Sequence, residues 1–321
     1  RMEPLLRDIR LGMDGAGMYC EGVKGECNFG QQEIAFRYDE ALVTCDNHTI
    51  YKNGAKEIAD QHGKSLTFMA KFDEREGNSC HIHISLRGVP DGEPSVAVFA
   101  DDTDPLGMSP MFRSFIAGQL ATMRELTLFY APNINSYKRF VEGSFAPTAV
   151  AWGLDNRTCA VRVVGRGHSM RMELRAPGGD VNQYLAVAAL VAGGLHGIDQ
   201  GLELEEACVG NAYTAGAQHL PTTLAEAAGL VVEVELHRAA AARAGRHHGL
   251  DAGGIEHAGG GGVDVGAHAR LHAACEHQHL ACVRAGGPGA RCLRRGHFGF
   301  EAVGQQAAHH LAHLHGRGKQ G

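Results

Sequence analysis

Arg171-Met172-Glu173-Leu174-Arg175 alternates charged and apolar side chains at the two-residue period of a β-strand. Two guanidiniums and a carboxylate therefore share one face, and Met172 and Leu174 share the other. Charges directed inward from a sheet must be paired or meet a ligand, so this row is the floor expected beneath an anionic substrate, with the central carboxylate able to hold a cation. The plainer alternative is an exposed strand whose charges pair with one another. Arg139, Arg157 and Arg162 precede the row closely in a partly apolar context, which suits phosphate and carboxylate recognition through the planar guanidinium fork.

Two further groups could hold a cation. Glu26 and Glu33 bracket a glycine-containing loop, and their odd spacing puts them on opposite faces of one unbroken strand. A bend near Gly30 brings both carboxylates together, where they repel unless a hard divalent ion such as magnesium sits between them. Without that bend they are two solvated surface glutamates. His81, His83 and Ser85 share one face of a second strand. His-x-His is a common zinc arrangement, but no His-Glu-x-x-His motif or cysteine pair accompanies it, so one histidine among glutamates favours magnesium or manganese.

The elements that must position these groups are legible in outline. Residues 18–23 and 33–38 read as strands. Asp46 or Asn47 is the expected N-cap of a helix reaching Gly63, and segments 65–71 and 79–86 read as a hairpin. Ser109-Pro110 opens an amphipathic helix that ends before Pro132. Residues 133–151 form a long loop over the site, 159–164 a strand carrying Arg162, and Asp180 or Asn182 caps an apolar core helix. At 321 residues and 44% hydrophobic content the chain can bury a large core. A net charge of -6 argues against nucleic acid as a partner, and no run of 18 apolar residues suggests a membrane span. Nine scattered cysteines without a C-x-x-C pair suggest reduced thiols and a cytoplasmic protein.

Gly25-Glu26 through Gly30-Gln31-Gln32-Glu33, Asn78-Ser79-Cys80-His81-Ile82-His83, Asn135-Ser136-Tyr137-Lys138-Arg139, Asp155-Asn156-Arg157 and Arg171 through Arg175 resemble, in order, the catalytic domain of glutamine synthetases. The resemblance spans residues 1–230. It implies an α+β fold, a curved antiparallel β-sheet backed by helices, in a homo-oligomeric ring. It implies ligation of glutamate to ammonia or an organic amine, driven by ATP through γ-glutamyl phosphate, with Mg2+ or Mn2+. By the same resemblance Glu26 and Glu33 look like ligands of one metal, and His81 and Glu173 of a second beside the nucleotide phosphates. Gly77, Arg139 and Arg175 look like glutamate-binding positions. Arg157, Arg162 and Arg171 look like nucleotide or phosphoryl contacts, Arg139, Arg157 and Arg162 forming the catalytic arginine set, and His83 and Ser85 look like nucleotide neighbours.

Three departures qualify the resemblance. Where ammonia-using members place a glutamate that binds ammonium and accepts its proton, this chain has Phe145, which cannot serve as a base but can wall a slot for an alkyl chain. An organic amine is therefore the expected acceptor, with ammonia the alternative. The family's two further metal-binding glutamates lie upstream of residue 1, so weak metal binding and poor turnover are expected of this chain alone, and a non-catalytic homologue that binds nucleotide or metal is the competing class. From Val231 onward there is no Ser, Thr, Asn, Tyr, Met or Trp, and more than half of the 20 histidines fall there. Out-of-frame translation of a GC-rich gene accounts for residues 231–321, and it predicts disorder or isolated helices. The rival is a His-rich appendage in which Cys275, His277, His279 and Cys282 bind a soft metal.

Overall fold

In the computed structural model of the chain, residues 2–88 and 96–231 and the backbone of 270–284 are described. They begin with α1 (Glu3–Gly15), β1 (Cys20–Gly25), β2 (Gln31–Phe36), β3 (Asp39–Glu40), α2 (Ala41–Gln61), β4 (Lys64–Thr67), β5 (Cys80–Gly88) and β6 (Val96–Ala97). There follow α3 (Pro110–Tyr130), β7 (Trp152–Leu154), β8 (Val161–Val164), β9 (Arg171–Leu174), α4 (Gln183–Asp199) and β10 (Arg270–Arg284).

One sheet runs in the order β1-β2-β10-β5-β9-β8-β7, antiparallel except for the parallel pair β7 and β8. Helices back it, as the α+β expectation requires. The β5, β8 and β9 residues Ile82, Ile84, Leu86, Val161, Val163, Met172 and Leu174 point into a core shared with Phe112, Phe115 and Ile116 of α3 and Leu190 of α4. Their alternate neighbours are thereby turned to the opposite face, where His81, His83, Arg162 and Glu173 lie. A second core joins α1 and α2 to the β1–β2 end through Leu5, Ile9, Ile34, Tyr51 and Phe68.

Helices α3 and α4 cross at glycines. A Cβ on Gly118 would come within 2.2 Å of the Gly193 carbonyl oxygen, and one on Gly197 within 2.0 Å of the Ser114 carbonyl oxygen, so the backbones approach as closely as they do only because those side chains are absent. Ser109 caps α3 by accepting from the Phe112 amide at 3.1 Å, with Pro110 at the first helical position. Asn182 caps α4 through the Leu185 amide at 3.2 Å.

Three expectations need correction. Helix α2 begins at Ala41, so Asp46 and Asn47 lie inside it, and Asp46 instead accepts from the Tyr184 hydroxyl. The strands at 64–67 and 80–88 do not form a hairpin: each pairs with β10. Finally, Arg270–Arg284, placed by composition in a tail without order, forms a strand. Its backbone satisfies the facing edges of β2 and β5, whose N–H and C=O rows would otherwise lie open. The side chains of Cys275, His277, His279 and Cys282 lie outside the described residues, as do residues 285–321. Among the described residues no helix is long and apolar enough to cross a membrane.

Candidate active site

The sheet register assembles the floor of the site. Glu173 of β9 lies opposite His83 on β5 and opposite Arg162 on β8, so three neighbouring strands carry charged or ionisable groups side by side. Glu173 is fully buried. Its carboxylate accepts from Arg175 Nη1 at 2.6 Å and from Arg162 Nη1 at 2.8 Å, and it meets His81 Nδ1 at 3.0 Å. Burial alone would raise the pKa of this carboxyl. The His81 hydrogen bond and charge, followed by Arg175 and His83, outweigh burial and hold it well below the usual carboxylate range. Glu173 is thus a permanent anion, as an electrostatic floor needs.

Glu26 and Glu33 converge as the bend at Gly30 requires. Gly30 adopts φ +70°, a left-handed conformation natural to glycine, and the Glu26 amide donates to the Gln31 carbonyl at 3.0 Å across the turn. Lys24, paired across the ladder with Glu33, sets its ammonium 2.9 Å from the Glu33 carboxylate and 3.7 Å from that of Glu26. Lys24 was not singled out in the sequence, although its two-residue spacing from Glu26, just past the end of β1, carried the signal.

Glu26, Glu33, His81, Glu173, Gly77, Phe145, Arg157, Arg162 and Arg175, with Lys24, line one cleft of about 280 Å³. Gln31 ties β2 to the Gly77 loop, donating to the Gly77 carbonyl at 2.9 Å and to Asn78 Oδ1 at 3.0 Å. Gly77 must be glycine here: a Cβ would fall 2.2 Å from the Ala70 carbonyl oxygen and 3.0 Å from Arg139 Cγ.

Arg139 is not in the cleft lining. It is buried behind Gly77, donating to Ser79 Oγ at 2.9 Å and to the Ala176 carbonyl, and burial pulls its pKa down to about 10. His83, Ser85 and Arg171 lie further along β5 and β9, outside the cleft, where Arg171 Nε donates to His83 Nδ1 at 3.1 Å. At the cleft wall Phe145 is half-exposed with φ +58°, and its carbonyl accepts from Arg175 Nη2 at 3.1 Å. A non-glycine residue in that region costs about 1 kcal/mol or more, so the fold carries this ring at some expense.

Among the described residues no three His, Cys, Asp or Glu side chains already converge on one point. Glu26 with Glu33 and His81 with Glu173 instead stand as two pairs in the lining of the same cleft. Such sets fit magnesium or manganese, which bind through one or two carboxylates and complete their shells with water and phosphate oxygens.

A sheet floor of buried carboxylate and arginines, with two further carboxylates beside it, has the charge and the donor set to take an anionic substrate and divalent cations. Residues 1–242 match the glutamine synthetase catalytic domain, and the chain belongs to that family. It is 65% identical over 240 residues to the γ-glutamylethanolamide synthetase GlnA4 of Streptomyces coelicolor, covering 75% of this chain and 50% of that protein. It is 41% identical to a glutamate–isopropylamine ligase of a Pseudomonas species, covering 73% of this chain and 51% of the relative. A solved GmaS/ADP complex superposes with a TM-score of 0.66 at 33% identity, covering 73% of this chain and 55% of that one. The chain spans about half the length of the curated relatives it matches.

Proposed function

We propose that the complete gene product is an ATP-dependent ligase that joins the γ-carboxylate of glutamate to an organic amine through γ-glutamyl phosphate. The observation that carries the choice of amine is Phe145 on the wall of the charged cleft, an apolar ring held at an unfavourable φ. Two relatives named for alkylamine or ethanolamine substrates support the same reading.

In this reading Arg175 faces the glutamate carboxylates, and Arg157 and Arg162 surround charge developing on the transferring phosphoryl group. Divalent ions held by Glu26 with Glu33 and by His81 with Glu173 would neutralise the phosphate oxygens. Arg139, buried behind Gly77, fixes the loop that closes the glutamate end rather than touching the substrate in this conformation. Phe145 excludes water and packs on the methylenes of the amine, a role worth about 0.8 kcal/mol per buried methylene. His83, Ser85 and Arg171 form the nucleotide side, and the enzyme is a cytoplasmic homo-oligomer.

Phosphate release by the complete gene product, measured with glutamate, ATP and a series of amines, tests the assignment. Ethanolamine and short alkylamines are expected to exceed ammonia in kcat/KM by tenfold or more, the effect of about two buried methylenes. Ammonia used as well as every organic amine would establish the alternative, a glutamine synthetase proper.

A further inference from the structure

Two cysteines meet beneath the turn that carries Arg157. Cys159, fully buried, and Cys208, half-buried, pack in one small cluster with Ala151 and Ala212. Their meeting depends on Gly153, where a Cβ would stand 3.2 Å from Cys159 Sγ and 3.0 Å from the Cys208 carbonyl oxygen. Cys208 is fixed by its amide, which donates to the Trp152 carbonyl at 2.8 Å. The segment around it grips the Arg157 turn from below: Asn156 Nδ2 donates to the carbonyls of Cys208 at 3.3 Å and Gly210 at 2.8 Å, and the Ala212 amide donates to Thr158 Oγ1 at 2.9 Å.

We propose that Cys159 and Cys208 are a reversible oxidation site, closing to a disulfide in the presence of a peroxide and locking the Arg157 turn onto residues 202–212. The more open thiol, Cys208, reduces the peroxide: an oxygen passes to its sulfur, giving a sulfenic acid, and one water leaves. The Cys159 sulfur then attacks that sulfur, its proton leaves with the hydroxyl as a second water, and the S–S bond forms. Two thiols are oxidised by two electrons and one peroxide is reduced to two waters. The roles follow from exposure, and burial, which pushes the Cys159 thiol up to about 12, keeps that group from meeting the oxidant first. Cys45 and Cys80 also share a core cluster, but both are buried, so neither offers the exposed thiol that meets the oxidant first.

The test is peptide mapping of the 321-residue chain after mild hydrogen peroxide and alkylation. The expected product is a Cys159–Cys208 linked peptide that dithiothreitol separates and that Cys208→Ser and Cys159→Ala each abolish. Hydrogen exchange of the amides at 155–158 should also slow at least threefold on oxidation and recover on reduction. Recovery of Cys208 as sulfinic acid with Cys159 still alkylated, or cross-linking of either to a different cysteine, would overturn the proposal. A correct disulfide that leaves exchange at 155–158 unchanged would remove the locking role.

Discussion

Glu173→Gln should destabilise the 321-residue chain by roughly 3–5 kcal/mol, the cost of removing one partner from a buried ion pair. The substitution keeps the volume of the side chain but removes its charge and turns one of its two acceptor oxygens into a donor. Arg175, almost fully buried, would then lose its carboxylate partner, and Arg162 would keep only the exposed Asp155. Urea unfolding at neutral pH measures the loss directly. Glu173 also predicts a pH dependence of definite sign. Its folded-state pKa is depressed, so its stabilisation is complete above the unfolded carboxyl value of about 4.3 and is lost as the pH falls below it. The parent chain should lose stability steeply on acidification below that value, and the glutamine variant should show a shallower fall. A variant within 1 kcal/mol of the parent would mean that the arginines find other anions and that Glu173 is not the centre of the network.

Arg157→Ala is expected to do the opposite, lowering kcat of the complete gene product by about 10²–10³ while leaving stability nearly unchanged. Arg157 is exposed in the cleft, so its deletion opens no cavity and strands no buried partner. Loss of one preorganised donor to a transferring phosphoryl group carries a penalty of this order. Arg157→Lys should recover only part of the rate, since an ammonium replaces the charge but not the planar fork. Steady-state kinetics beside a urea midpoint separates the two effects. Wild-type turnover in the alanine variant would remove Arg157 from the chemistry.

The contrast between these residues follows from what the sequence could and could not express. The β9 row was readable because charge alternates over five residues with the period of a strand, and strand register then fixes His83 and Arg162 beside Glu173. Glu26 and Glu33 were readable because one glycine between them supplies the required bend. Burial of Arg139 was not, since the last residue of a short 3-10 turn (Ser136–Arg139) acquires its surroundings only from distant segments, here Ser79 and Ala176. The hairpin between 65–71 and 79–86 failed for the same reason: local turn chemistry was compatible with it, but pairing with Arg270–Arg284 carries no local signal. Helix α2 misled because Asp46 and Asn47 have capping chemistry and the true start, after Glu40, has no side-chain cap.

In the proposed chemistry this cleft transfers a phosphoryl group from ATP to the γ-carboxylate of glutamate before the amine attacks. Glutamate labelled with 18O in its γ-carboxylate, incubated with ATP, ethanolamine and the complete gene product, decides it. The proposed chemistry predicts one labelled oxygen in each phosphate released, because the carboxylate oxygen that attacked ATP departs with the phosphoryl group when the amide forms. Unlabelled phosphate accompanying amide formation would contradict the account.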